Sequence, residues 1–274
     1  AGLAEGSFAW PKFQAGVPLF PVRGERLLVR KGLPRPALER TLVRALVHFA
    51  VATPGVGALN VTHVTRERAL GLQAQGWLVS HEPHCFWRNR PHASFDVYVG
   101  SLPHRKRYLL NKERRRVDGL GLDIRILPGA EITPPLLDDY YRGHAVVCRR
   151  YGFRPWLPLA MYRETLARMP GAVRLIAAFD AGRFVAGIFC LVGGGTLFLR
   201  TWSALHDAPG LAFELICYRP IRYAIEEGLA LVDSGLIGPH KVQRGYPVEP
   251  VFTAHWFPDE RLQARARAVL ASQR

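Results

Sequence analysis

The chain has 274 residues and a mass of 30.7 kDa, enough for one large domain or two modest ones with a core that needs no metal or disulfide staple. Hydrophobic residues at 49% and charged residues at 22% exclude wholesale disorder, and the longest apolar stretch, Phe184 to Val192, is half a membrane span and excludes a transmembrane helix. Lys and Arg number 37 against 22 Asp and Glu, a net +15 with a pI near 10.3, and all but five of those cations are arginines. Arginine suits bidentate phosphate or carboxylate recognition, so the excess points to a polyanionic partner. The opposing reading, arginines spread over a solvated surface, stays open.

The opening AGLAEGSFAW lacks a basic stretch followed by an apolar one, so it is not expected to be an intact signal peptide. It also lacks Met, which suggests a trimmed or partial chain. Segments 16–22 and 25–30 read as extended. Residues 37–52 carry Leu38, Leu42, Ala45, Leu46 and Phe49 at helical spacing between Pro36 and Pro54. LNVTHV (59–64) reads as a strand, Thr65 as the cap of a short helix ending at Gly76, and 77–89 as another extended stretch. Residues 101–117 form a basic helix with Ser101 as its expected N-cap and seven cations against Glu113, +6 of the total charge.

DIRIL (123–127) is the next strand. Thr133-Pro134 opens a helix whose apolar face is Leu136, Leu137, Tyr140, Tyr141, His144 and Cys148, and a second helix covers about 159–169. Three strands come next as a meander, 173–180, 183–192 and 196–205, joined at Ala181-Gly182 and Gly193 to Gly195. A helix over 211–227, strands at 229–235 and 251–257, and an amphipathic helix over 261–271 complete the pattern. The alternation predicts an α/β or α+β fold. The four cysteines, Cys85, Cys148, Cys190 and Cys217, match no zinc or CxxC spacing and read as packing thiols of a reduced, cytoplasmic protein. No metal site is expected.

The order of strand, two helices, three meandering strands, helix, strand and strand is similar to the Gcn5-related N-acetyltransferase (GNAT) fold. RKRYLLNKERRRV, RTWSALHDAPGLAFELICYRPIRYAIEEG and the tail DSGLIGPHKVQRGYPVEPVFTAHWF sharpen the likeness. They resemble the bacterial N-acyltransferases of the peptidoglycan biosynthesis/recognition family, relatives of the Fem ligases, over residues 10–265. The resemblance implies a GNAT-like mixed sheet flanked by helices and two GNAT-like domains, the first truncated. The expected division is 1–92 for that partial domain, 93–121 for the basic connecting helix and 122–274 for a complete acyltransferase domain.

What the resemblance implies chemically is direct transfer of an acyl or aminoacyl group to the amine of a peptide or small molecule. Neither a GxSxG elbow nor a Cys–His signature is present for a covalent intermediate. Glu214, matching the family's Phe-Glu pair, is the first candidate base, ahead of His255 and His240. The donor-binding candidates are Arg244, Lys241 and Gly238 of the tail loop and Arg105, Lys106 and Arg107 of the basic helix. Arg200, Trp202 and Tyr246 are the expected pocket. The loop HDAPGLAFE departs from the pyrophosphate-binding pattern of acetyl-CoA users, and Glu214 in the first helical turn would repel phosphate. No cofactor is expected to be tightly bound; the donor co-substrate is an acyl-CoA, an acyl-carrier-protein thioester or an aminoacyl-tRNA. The basic helix would meet tRNA, an acidic carrier protein or an anionic membrane surface. Self-association into a homo-oligomer stays open, as does a second reading, a non-catalytic module that recognises nucleic acid or cell-wall peptide.

Overall fold

A computed structural model describes residues 11–18, 20–90 and 92–272; the expectation about the opening ten residues lies outside these. The fold is mixed α/β and its contacts divide it into two compact units, one reaching to Pro83 and resuming at Pro250, the other covering His84–Glu249.

In the first unit, β1 (Lys12–Ala15) pairs parallel with β2 (Ala58–Val64), and β2 pairs antiparallel with β9 (Val248–Trp256). The Leu78–Pro83 half of β3 (Leu78–Arg88) lies next in the sheet. Helix α1 (Arg35–Ala52) and helix α2 (Arg66–Gln73) bury Val43, Ala50 and Leu72 with Leu59, Val61, Trp77 and Ala254 of the sheet. Thr65 caps α2 as its position suggests, accepting from the Arg68 N–H. Helix α10 (Glu260–Ala271) starts at Asp259, whose carboxylate accepts from Arg261 and Leu262 N–H groups. Segment 25–30 and the described residues of 16–22 form no strand; Leu19 lies outside the description. Pro18 and Pro21 have no N–H to give a ladder, and the Arg26 side chain, not a strand partner, satisfies the carbonyls of Val22 and Thr62.

The second unit holds a sheet in the order β3 (from His84), β8 (Leu231–Leu236), β7 (Thr196–Ala204), β6 (Arg183–Gly193), β5 (Val173–Asp180), β4 (Asp123–Pro128). β5 through β7 form the antiparallel meander read from the sequence, β4 pairs antiparallel with β5 across the intervening helices, and β8 is parallel to β7. β6 is buried from Phe184 to Cys190 without alternation, as a strand covered on both faces should be. Helix α5 (Pro134–Arg150), capped by Thr133, lies against β7 so closely that a Cβ on Gly143 would meet Ser203 Oγ at 2.4 Å. Helix α6 (Leu159–Arg168) comes after it in the chain.

Two expectations change here. Ser101 is not the cap of the basic helix: it ends a separate helix, α3 (Phe95–Ser101), and its Oγ donates to Tyr98 O. Leu102 precedes Pro103 and is held extended, which breaks the chain before α4 (His104–Asp118) begins. The compact units also fall elsewhere than the boundaries expected at 92 and 121. β9 lies beside β2 and so carries the C-terminal segment to the first unit. Leu110 and Val117 bury α4 in the core of the second unit, so it is no free connector.

Between β7 and β8 the chain forms α7 (Leu211–Phe213), a π-turn (Glu214–Tyr218) and α8 (Arg219–Glu226). Pro220 accounts for the widened turn, since it has no N–H and its ring crowds the carbonyl four residues back. Helix α9 (Pro239–Gln243) lies beyond β8 in the chain.

Candidate functional site

Pairing between β7 and β8 covers only Thr196–Phe198 with Leu231–Asp233. Past that point Lys241 Nζ donates to the carbonyls of Ser234 and Leu236, the latter at 3.0 Å. A lysine thus serves β8 where β7 has ceased to, and burial lowers its pKa. Asp233 is buried and its Oδ1 accepts the Gly235 N–H at 2.9 Å. Arg200 on β7 is held below its ordinary pKa by burial, with the charge of Asp233 acting against this.

Helix α5 packs on β7. Tyr140 Oη lies 2.6 Å from Thr201 O, and Tyr162 donates to Thr201 Oγ1 at 3.0 Å. Burial pushes the Tyr162 hydroxyl up to about 12. His144 Nδ1 is 2.8 Å from Trp202 O, and burial lowers the His144 pKa, so the imidazole is neutral and donates from Nδ1. Its Nε2 lies 3.6 Å from Cys148 Sγ.

The charged residues of α4, the π-turn and α9 form two ionic groups. Glu113 receives Tyr218 Oη at 2.6 Å and Arg244 Nε at 2.9 Å, and Arg244 Nη2 closes a bidentate pair on its other oxygen. Arg244 Nη1 donates to His240 O, and its guanidinium lies 3.4 Å from the centre of the Phe213 ring. Glu214 is buried and accepts Arg219 Nε at 2.7 Å, with Arg114 Nε 3.9 Å from its second oxygen.

Of the residues singled out from the sequence, His240, Lys241 and Arg244 come together on and after α9, with Glu113 of α4 between them and the π-turn. His240 is exposed, its ring 6.0 Å from that of Phe213 and folded back over Gly238, where a Cβ would meet it at 2.5 Å. Desolvation of the part of the ring packed against its neighbours, then the charges of Lys241 and Arg244, lower its pKa, so it is neutral at pH 7. Arg244 is buried in its pair with Glu113, and Glu214 in its pair with Arg219. Tyr246 is fully buried and donates to Cys217 O at 3.0 Å, a core contact. Trp202 is half-buried against the core. Arg105 and Lys106 line a cavity of about 520 Å³ with Tyr108, Leu109, Val242 and Gln243, and Arg107 donates to Gly100 O. His255 belongs to the first unit, 2.8 Å from Ser80 Oγ and 3.0 Å from Asn60 Oδ1, and burial pushes its pKa down to about 4. Glu113, Tyr218 and His144 were not anticipated in these roles; the lone acid in a run of cations was the one available signal for Glu113.

Residues 4–274 match the FemAB-like family, described as peptidoglycan biosynthesis/recognition. The chain belongs to that family. As a FemAB-like protein it falls among peptidoglycan-related transferases. No curated relative matches it in sequence. Solved structures share its fold: L-PGS from Bacillus licheniformis at 10% identity, covering 87% of this chain and 77% of that one with a TM-score of 0.61; FemX at 12%, covering 90% and 84% with 0.57; and a tandem GNAT protein from the clavulanic acid biosynthesis pathway at 15%, covering 86% and 75% with 0.50. At such identities the likeness is one of fold, and that fold is GNAT-like, as the motifs implied. Among the described residues no helix is long and apolar enough to cross a membrane.

Proposed function

We propose that this FemAB-like chain is an N-acyltransferase that moves an acyl or aminoacyl group from an activated donor to the amine of a peptide or small molecule. The observation that carries the reading is the parting of β7 and β8 after Phe198 and Asp233, beside an exposed, neutral His240. An acyl carbonyl lying in that opening would face Arg200 and Trp202 of β7. The amine attacks the carbonyl carbon, a C–N bond forms, and the C–S or C–O bond to the donor breaks as the thiol or hydroxyl leaves. A neutral imidazole at the mouth takes the ammonium proton, so His240 becomes the favoured base. Glu214, with its charge engaged by Arg219, is reassigned to holding the π-turn.

The choice of donor turns on the start of α7. Gly210 opens that helix at φ +88°, and a Cβ on it would lie 3.5 Å from Val117 and 3.7 Å from the Glu113 carbonyl of α4. Helix α4 thus packs against Gly210 at ordinary contact distance, and the acidic Glu214 follows within the next turn, a poor setting for a pyrophosphate. This favours an aminoacyl-tRNA or a carrier-protein thioester over an acyl-CoA, with Arg105 and Lys106 of the neighbouring cavity as phosphate contacts.

His240→Gln is expected to lower turnover by about 100-fold or more while donor affinity stays unchanged, and Glu214→Gln to leave turnover largely intact once the protein is folded. The opposite pattern would return the base role to Glu214. Binding to tRNA, carrier protein or coenzyme A without transfer from any of them would favour the recognition module instead.

A further inference from the structure

One edge of the second unit leaves aromatic side chains in water beside cations. β7 and β8 are parallel, so both finish at this edge. Helix α5 runs alongside β7 in the same direction, with contacts advancing from Tyr140–Thr201 through His144–Trp202 to Arg150–Asp207. The turn that leaves α5 therefore emerges where the opening between β7 and β8 does. On it Tyr151 and Trp156 are each 76% exposed and Phe153 44%, and Leu236 and Ile237 at the end of β8 are exposed too. Arg149, Arg150 and Arg154, all exposed, stand among them.

These side chains are held out rather than left loose. The N–H groups of Tyr151 and Phe153 both reach Cys148 O at 3.1 Å, and the Gly152 N–H reaches Arg149 O at 3.0 Å. Gly152 supplies the left-handed residue at φ +79° that such a helix end requires. Pro155 and Pro158 stiffen the segment leading to α6, Leu157 between them is buried as an anchor, and the Tyr151 and Phe153 rings stack at 6.4 Å. Little ordering entropy is left to lose on contact with a partner.

We propose that this edge docks on an anionic lipid bilayer. Tyr and Trp seat an apolar ring in the headgroup boundary and keep a polar tip wet. Arginines among them meet anionic headgroups, and the net charge of +15 brings the whole chain to such a surface. The arginines argue for an anionic partner and the protruding rings for one that yields to insertion. Docking would turn the opening between β7 and β8 towards the lipid. The inference does not depend on acyl transfer, since its test reads adhesion.

The full chain is mixed with vesicles of phosphatidylcholine alone or with added phosphatidylglycerol, and the bound fraction is measured by flotation across a salt series, with tRNA binding measured in parallel. Binding is expected only where phosphatidylglycerol is present, falling as salt rises. Tyr151→Ser, Phe153→Ser and Trp156→Ser combined should cut the partition about ten-fold or more with an unchanged melting curve, because all three side chains are exposed. Absence of binding to the anionic vesicles overturns the proposal. So does equal binding to neutral ones, or a triple variant that adheres like the parent, which would assign adhesion to α4. A variant that keeps vesicle binding but loses tRNA binding overturns it in favour of a nucleic-acid surface.

Discussion

The two faces of α4 put one kind of side chain to opposite uses. On the inner face Leu110 and Val117 enter the core, Glu113 closes on Arg244 and Tyr218, and Arg114 approaches Glu214 and lies 5.4 Å from the Phe95 ring. On the outer face Arg105, Lys112, Arg115 and Arg116 stand exposed with Tyr108. The inner charges are desolvated and each is answered, so they fix geometry. The outer ones repel one another along a single helix, a cost that an anionic partner would relieve. Net charge states how many cations there are; burial and pairing decide which of them hold the fold and which are left for recognition.

Breaking the inner face should have the largest effect. Glu113→Ala leaves the Arg244 guanidinium buried with no carboxylate, and about 3–5 kcal/mol of stability should be lost in denaturant titration. Glu113→Gln keeps an acceptor for Tyr218 and should cost less. A loss for Glu113→Ala no greater than that of an outer-face substitution would erase the distinction between the faces.

The first unit offers a second engaged group, and this one titrates. His255 sits between Ser80 and Asn60 with its pKa pushed down to about 4 by burial. The unfolded chain, where a histidine titrates near 6.5, takes the proton first. The stabilisation is therefore complete above about pH 6.5 and is lost as pH falls towards 4, by about 3 kcal/mol over the window. His255→Gln removes the titration, so the difference between parent and variant stability should shrink as pH falls. A difference that stays flat from pH 7 to pH 4 would mean that His255 charges normally in the folded protein.

How much was legible in the chain beforehand depends on how local each signal is. Thr65 and Thr133 announced their helices because a cap acts over three residues, and the β5–β7 meander was marked by glycine turns. Ser101 misled because the same Leu-Pro break that ends α3 resembles a start for α4. Glu113 and Arg244 are separated by 131 positions, so nothing near either names the other. The π-turn was hidden within an otherwise regular helical pattern, and it carries Glu214, whose carboxylate accepts from Arg219. Family motifs named loops rich in charge; they could not say which of those charges were already paired.

The outer face supplies the smallest effect on stability and the clearest one on binding. Replacing Arg105, Lys112, Arg115 and Arg116 by Gln removes charges that have solvent around them, so each substitution should change folding stability by less than about 0.5 kcal/mol. If these side chains contact phosphates, each one removed lowers the slope of log affinity against log salt for tRNA by about 1. The slope, rather than affinity at a single salt concentration, is the quantity to read, because it counts released counterions and ignores contacts made elsewhere. A four-fold variant that melts with the parent and loses most of the slope makes the outer face a recognition surface. One that keeps the parent slope leaves those cations as a solvated face and moves phosphate recognition off the outer face of α4.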